Sequence, residues 1–115
     1  MTTLYGIPNC DTIKKARKWL TQHNIEFVFH DFRKEGLDEN QLKSWFEAQG
    51  VDVVINKRGT TWRQLDEATK SDLDAEKAVK LALDNPAIIK RPVLIHHEKV
   101  HIGFKDADYK SIFGL

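Results

Sequence analysis

The start of the chain carries apolar residues at two spacings, one typical of strands and one typical of a helix. Residues 3–5 precede a turn-forming stretch with glycine and proline, 6–9, and predict a short first strand. From residue 11 to about residue 23 the apolar positions recur at helical spacing, and Asn24 is a suitable stop. Residues 25–30 are aromatic and β-branched and predict a second strand, so the order β-α-β favours a parallel pair. The inner face of the helix is predicted to consist of Ile13, Ala16, Trp19 and Leu20.

The middle of the chain has a mainly helical pattern. Asp38 is placed to cap a helix that ends at Gly50 and carries Leu42, Trp45, Phe46 and Ala48. Residues 56–63 have no clean period and predict a loop that leads into a short helical turn around 64–66. Residues 74–83 are helical again, and another short segment follows over 85–90. The predicted buried positions of the helix at 74–83 are Ala75, Ala78, Val79 and Ala82.

The end of the chain predicts a hairpin followed by a helix. Strands at 93–96 and 100–104 flank a turn at 97–99, and Asp106 is placed to cap a terminal helix. The full order is β-α-β, several helices, then β-β-α, which indicates an α/β protein with a mixed four-stranded sheet flanked by helices. This order is that of a thioredoxin-like fold in a single domain, 1–115, with a helical insertion at roughly 37–90.

Charge and cysteine content narrow the classes of function. The 18 basic and 17 acidic residues nearly cancel, which argues against nucleic acid or an anionic membrane as a partner. The single cysteine excludes an internal disulfide and favours a reducing compartment. The first residues lack the pattern of a signal peptide, and no apolar stretch approaches the roughly 18 residues of a membrane span. We therefore expect a cytoplasmic protein.

Cys10 lies between the predicted turn and the predicted first helix. Helix N-termini and nearby cations lower the pKa of a cysteine, and the thiolate is the nucleophilic form. Thr12 could exchange a hydrogen bond with the sulfur, and Lys14 adds positive charge one turn along. A lone cysteine is more often a small buried apolar residue. The position after Pro8 and Asn9 favours the reactive interpretation.

Two basic segments are candidate anion sites. Asn56, Lys57 and Arg58 precede two threonines and a tryptophan, a composition able to bind a carboxylate, although charge runs are usually solvated. Arg91 could bind an oxyanion through two hydrogen bonds, but beside Lys90 it is more often part of a solvated surface pair. The histidines lack the spacing of a zinc site, so no metal is expected.

Three segments stand out in order along the chain: Tyr5-Gly6-Ile7-Pro8-Asn9-Cys10-Asp11-Thr12, Asn56-Lys57-Arg58-Gly59-Thr60-Thr61-Trp62 and Ile89-Lys90-Arg91-Pro92-Val93-Leu94. Together they resemble the arsenate reductase ArsC-like family, which is related to the Spx regulators, and they are most similar to its short YffB branch. The resemblance covers nearly the whole chain. It implies a thioredoxin fold, a nucleophilic Cys10, a cis Pro92 beside the cysteine, and Arg91 in the position of an oxyanion-binding arginine.

The chain also departs from the family pattern. Asn56, or with a small shift Lys57 or Arg58, occupies the position of one further oxyanion-binding arginine of the arsenate reductases, and Phe104 occupies the other. Ile13 stands where Spx-type regulators often carry the second cysteine of a Cys-x-x-Cys switch. A second thiol must therefore come from outside the chain, and the resemblance points to glutathione.

The leading hypothesis is a glutathione-dependent thiol oxidoreductase with Cys10 and Arg91 as catalytic residues. Its expected glutathione or substrate site consists of Asn9, Thr12, Lys14, Asn56, Lys57, Arg58 and Pro92. The expected partners are glutathione or a small oxidised thiol, with glutaredoxin as a further partner, no metal or nucleotide, and a monomeric protein. The alternatives are an arsenate reductase coupled to glutathione and glutaredoxin, and a non-enzymatic interaction module like the Spx relatives that bind RNA polymerase.

Overall fold

The computed structural model describes residues 2–71 and 73–115. The chain divides into two compact units, one formed by Met1–Phe32 with Arg91–Leu115 and the other by Arg33–Lys90. The second unit covers the region predicted as a helical insertion. None of the helices in the described ranges is long and apolar enough to cross a membrane.

The first unit contains a mixed four-stranded sheet with helices packed on it, the thioredoxin-like arrangement that the sequence predicts. The strand order is β2-β1-β3-β4, with β1 parallel to β2 and antiparallel to β3. Strands β3 and β4 form an antiparallel hairpin whose turn consists of His97 and Glu98, both at positive φ. The elements are β1 (Thr2–Gly6), α1 (Asp11–Gln22), β2 (Val28–Asp31), β3 (Val93–His96), β4 (Lys99–Ile102) and α8 (Asp106–Ile112).

The core of the first unit lies between the sheet and the helices α1 and α8. All four predicted inner-face residues of α1 are buried. Leu4 and Leu94 face each other across β1 and β3 and have no exposed surface. Burial of this apolar surface is the main source of stability for the unit, at roughly 25 cal/mol per Å² removed from water. The core cluster is formed by Leu4, Ala16, Trp19, Leu20, Leu94 and Tyr109.

The second unit is helical apart from an isolated antiparallel bridge between Ile55 and Ile89. Three aspartates cap helices through their carboxylates, which accept hydrogen bonds from backbone N–H groups three residues later. These caps are Asp38, Asp66 and Asp74. The elements of the chain from the end of β2 to Lys90 are α2 (Phe32–Glu35), α3 (Glu39–Gln49), α4 (Val51–Val54), α5 (Thr60–Arg63), α6 (Glu67–Lys70), α7 (Ala75–Asp84) and a 3-10 turn (Pro86–Ile88).

Several predicted boundaries and inner positions are wrong, each for a local reason. Strand β2 begins at Val28 rather than residue 25, because its extent is set by pairing with Thr3 of β1. The short helix expected around 64–66 lies earlier, at Thr60–Arg63. Ala75 is exposed because it follows the Asp74 cap in the first turn of α7, whereas Leu81 is buried.

Asp106 is the first residue of α8 rather than its N-cap, which is Lys105. The Asp106 carboxylate instead accepts a hydrogen bond of 2.6 Å from the indole N–H of Trp19. The prediction that Asp106 caps α8 is therefore wrong, because its carboxylate accepts a hydrogen bond from Trp19, a residue distant in the sequence.

Candidate active site

Cys10 occupies the N-cap position of α1, in an extended backbone conformation with φ −112° and ψ 128°. Its carbonyl oxygen accepts the first hydrogen bond of the helix, from the N–H of Lys14 at 3.0 Å. The side chain is partly exposed, and Cys10 is a free cysteine. Because the first N–H groups of a helix lack intrahelical acceptors, a thiolate at this position faces donors that favour negative charge.

The pKa of the Cys10 thiol lies below its ordinary value, because the groups that favour the thiolate outweigh the effect of burial. Partial burial raises the pKa. The backbone N–H of Ile13, the side chain of Arg91 and the backbone N–H of Thr12 lower it by favouring the negatively charged sulfur, and the positive charge of Arg91 lowers it further. The arrangement increases the thiolate fraction at neutral pH.

Arg91 reaches Cys10 because of the antiparallel pairing of β1 and β3. Tyr5, near the end of β1, is paired with Val93, the first residue of β3. The residues just before the start of β3 therefore lie beside the turn that follows the end of β1. The Arg91–Pro92 peptide bond in this segment is cis, as the resemblance implied. Arg91 is half-buried and bonded to the thiol, so the interpretation as a solvated surface pair with Lys90 is wrong.

The other predicted residues of the first unit have different surroundings. Asn9 is exposed in the turn before Cys10, and Pro92 is buried. Thr12 acts on Cys10 through its backbone N–H. Lys14 lies exposed on α1, and the cationic side chain that lowers the pKa of Cys10 is that of Arg91. Sequence reasoning did not single out the N–H of Ile13, although its place in the first turn of a helix was predictable.

Phe104, which the resemblance places at the position of a further oxyanion-binding arginine, is partly buried and packs against the core of the first unit. Its ring packs edge-on against Tyr109, with 4.7 Å between the ring centroids, and joins the core cluster. An arginine here would place a guanidinium among apolar side chains, which carries a large desolvation cost. This position therefore serves packing and supplies no cation.

Asn56, Lys57 and Arg58 lie in the second unit, where they line a pocket of about 410 Å³. The pocket also includes Asp52 and Lys90, which sequence reasoning did not assign to a site. The ε-ammonium of Lys57 donates to Oδ1 of Asp52 at 2.6 Å, and the backbone N–H of Arg58 donates to Oδ1 of Asn56 at 3.2 Å. The sequence could not assign Lys90 to this pocket, because its place there depends on the β-bridge between Ile55 and Ile89.

In residues 2–71 and 73–115, no group of three or more histidine, cysteine, aspartate or glutamate side chains is arranged to hold a metal ion. The polar chemistry of the two sites described above consists of one thiol, basic side chains, one carboxylate and backbone N–H groups. Such groups can stabilise and orient an anion and carry out thiol chemistry.

Comparison with known proteins gives close relatives of the whole chain. An uncharacterized protein of Haemophilus influenzae is 50% identical over 113 residues, covering 98% of this chain and 99% of the relative. The solved structure of a YffB protein has 46% identity and a TM-score of 0.93, covering 96% of this chain and 97% of that one. An arsenate reductase (ArsC) related protein from Brucella melitensis has 46% identity and a TM-score of 0.78, covering 99% and 95% of the two chains.

A more distant relative is the global transcriptional regulator Spx of Streptococcus pyogenes. It is 27% identical over 113 residues, which cover 96% of this chain and 84% of the regulator. The family and its arsenate reductase-like structures support a thiol oxidoreductase-like role, and the Spx relatives are regulators. The ArsC family model matches residues 5–112, and the chain therefore belongs to the ArsC family.

Proposed function

We propose that this protein is a glutathione-dependent thiol oxidoreductase in which Cys10 is the nucleophile. The observation that supports this most strongly is the lowered pKa of a partly exposed cysteine that Arg91 and two helix N–H groups contact. A thiolate stabilised in this way is both a nucleophile and a good leaving group, as turnover through a mixed disulfide requires. The absence of a second cysteine makes an external resolving thiol necessary.

The reaction proceeds in two thiol–disulfide exchanges. The Cys10 thiolate attacks the glutathione sulfur of a substrate mixed disulfide, forms a disulfide to glutathione, and releases the substrate thiolate, which takes a proton from solvent. The thiolate of a second glutathione then attacks the glutathione sulfur of this adduct and releases Cys10 as thiolate. The substrate sulfur is reduced, and the two glutathione sulfurs leave together as oxidised glutathione.

Arg91 is the catalytic partner of Cys10 in this scheme, because its charge stabilises the thiolate both before attack and when Cys10 leaves. Asn9 precedes Cys10 in the chain, Thr12 acts on its thiol through the backbone N–H, Pro92 follows Arg91, and Lys14 adds positive charge on the exposed side of α1. Asn56, Lys57 and Arg58 bind a carboxylate of glutathione in their pocket. A reducing compartment such as the cytoplasm suits this chemistry, and we propose that the protein acts there as a monomer with glutaredoxin as an additional source of reducing thiols.

The test combines alkylation and mass spectrometry of the wild-type protein. The rate of Cys10 alkylation by iodoacetamide should reach half its maximum at a pH below that of an ordinary cysteine, and oxidised glutathione should add one glutathione per chain. Cys10→Ser should show neither reaction. An ordinary alkylation midpoint together with no glutathione adduct would contradict the proposal.

Arsenate reduction is the second candidate, since the Brucella relative is related to arsenate reductases. The same thiolate would attack arsenic and displace one oxygen as water, glutathione would then supply the electrons that reduce arsenic, and cations would hold the oxyanion. Phe104 in the core leaves the anion site with fewer cations than the family pattern. Measuring glutathione- and glutaredoxin-coupled reduction of arsenate, with Cys10→Ser as control, separates this activity from disulfide reduction.

The similarity to Spx favours a third function, a regulatory module that acts by binding another protein. Such a module does not need the thiol for contact. Pull-down with the wild-type protein and with Cys10→Ser tests it, because a partner held by surface complementarity alone should be retained equally by both.

A further inference from the structure

The pocket of Asp52, Asn56, Lys57, Arg58 and Lys90 combines cations with a carboxylate. Its two walls come from separate segments of the chain. One wall is 52–58, and the other is Lys90, two residues after the 3-10 turn. The Ile55–Ile89 bridge joins them, and both isoleucines are buried.

Backbone hydrogen bonds on either side of the bridge fix the position of Lys90. The N–H of Asn56 donates to the carbonyl of Ile88 at 2.7 Å, and the N–H of Lys90 donates to the carbonyl of Val54 at 2.7 Å. Bonds of this length and this pairing hold the main chain of Lys90 against the segment that carries Arg58. The pocket is therefore built on a paired backbone and not only on flexible side chains.

The pocket contains three cationic side chains and one carboxylate, and one of the cations is already paired with that carboxylate. Lys57 donates to Asp52 at 2.6 Å, and its ammonium also lies 5.7 Å from the ring centroid of Trp62. Arg58 and Lys90 supply two further cations. A carboxylate has two oxygens and accepts several hydrogen bonds, so Asp52 can accept from a ligand ammonium while it binds Lys57.

We propose that this pocket binds the zwitterionic γ-glutamyl end of glutathione, with its α-carboxylate at Arg58 and Lys90 and its ammonium at Asp52. The proposal rests on the glutathione-dependent function above and names the part of the ligand that is recognised. Asp52 is the residue that determines specificity: it attracts an ammonium and repels an inorganic oxyanion or a simple dicarboxylate. The volume of about 410 Å³ lies within the usual range for small-molecule sites, roughly 300–1,000 Å³.

The test uses ligands that cannot undergo thiol exchange. S-methylglutathione and the analogue without the amino group, glutaryl-S-methylcysteinylglycine, are titrated into the wild-type protein by calorimetry, with amide chemical shifts recorded for Asn56 and Lys90. S-methylglutathione should bind about 1.4- to fivefold more tightly than the analogue, the range for one exposed ion pair. Its binding should shift both amides.

Three substitutions and two matched controls complete the test. Asp52→Asn should remove the preference between the two ligands, whereas Arg58→Gln and Lys90→Gln should weaken both. Lys43→Gln and Glu47→Gln remove charges from the exposed side of α3 and should change neither affinity.

Equal binding of the two ligands to the wild-type protein, or a preference that survives Asp52→Asn, would overturn the inference. The same holds if S-methylglutathione leaves the amides of the pocket unshifted while Cys10 still forms its glutathione adduct, a result in which the proposed function stands. Pocket binding without a Cys10 adduct would be the reverse outcome, with the inference supported and the oxidoreductase proposal contradicted.

Discussion

Gly6 and Ile13 pack so closely that a Cβ atom at position 6 would overlap the Cδ1 atom of Ile13 and lie 2.9 Å from its Cγ1. Gly6 ends β1, and Ile13 lies in the first turn of α1, so this contact spans the turn that carries Cys10. Burial raises the pKa of Cys10, and the largest opposing influence is the backbone N–H of Ile13. We therefore expect the absence of a side chain at Gly6 to keep the first turn of α1, and with it the N–H of Ile13, close to the thiol.

Gly6→Ala should raise the pKa of Cys10, because the added methyl group pushes Ile13 and the first turn of α1 away from the sulfur. It should also destabilise the fold by about 1–3 kcal/mol, the usual cost of overpacking a core. The pKa is measured from the pH dependence of alkylation, and the free energy of unfolding from urea denaturation.

Ile13→Val provides the control, since it removes the Cδ1 atom that the new methyl group would overlap. Alone, this substitution should leave the alkylation midpoint close to wild type. Combined with Gly6→Ala it should restore most of the midpoint. A double variant with the same raised pKa as Gly6→Ala would show that the contact does not position the N–H of Ile13.

Arg91→Gln should move the alkylation midpoint of Cys10 to higher pH, because it removes a cation that hydrogen bonds to the thiolate. Below its pKa, the thiolate fraction falls about tenfold for each pH unit, so the rate at neutral pH should fall accordingly. The rate at the high-pH plateau should not fall, since a more basic thiolate is intrinsically more nucleophilic. Arg91→Lys should give an intermediate midpoint, and Lys18→Gln, which removes an exposed cation of α1, should leave the midpoint unchanged.

An unchanged midpoint in Arg91→Gln would contradict the electrostatic role. A plateau that falls with no change in midpoint would indicate a change in the access of the reagent to the sulfur, and it would count against the same role.

Asp106→Ala should lower the melting temperature by several degrees, because it leaves the buried indole N–H of Trp19 without its acceptor. Asp108→Ala is the matched control: both aspartates lie in the first turn of α8, so both substitutions lose the same favourable interaction with the helix dipole. Asp106 also pairs with Lys110 at 3.3 Å, so Lys110→Gln measures that ion pair, and the destabilisation by Asp106→Ala beyond both controls reports the bond to Trp19. Equal destabilisation by the two substitutions would contradict a specific contribution of this bond.

Acidification should destabilise the first unit through His96. Burial, with the charges of His97 and His101, lowers the pKa of His96 below its ordinary value of 6.5. The unfolded chain therefore takes up the proton at a higher pH than the folded chain, and stability decreases as the pH falls below the unfolded pKa. The free energy of unfolding should decrease between about pH 8 and about pH 5.5, and less steeply in His96→Asn.

The structural basis of this prediction is the hydrogen bond between Nδ1 of His96 and Oγ1 of Thr2, at 2.8 Å, together with the 4.0 Å separation of the His96 and His97 rings. A second imidazolium charge beside the first is unfavourable at this distance. The same pH dependence in wild type and His96→Asn would show that other groups are responsible.

Much of the fold follows from local patterns in the sequence. The inner face of α1 was predicted residue by residue, because a single helix repeats its buried positions at a fixed spacing. The cap at Asp38 was equally local, since the carboxylate and its N–H partner lie three residues apart. The start of β2 at Val28 was missed because strand length depends on the partner strand.

From the sequence alone, Cys10 is the candidate nucleophile, because it stands directly after a turn and directly before a helix. The groups that lower its pKa are visible only once the chain has folded. Arg91 reaches the thiol because β3 pairs antiparallel with β1, and Lys90 joins Arg58 because Ile89 pairs with Ile55. A local pattern reveals helix faces and caps, whereas contacts between distant segments depend on strand register and on close packing such as that of Gly6 on Ile13.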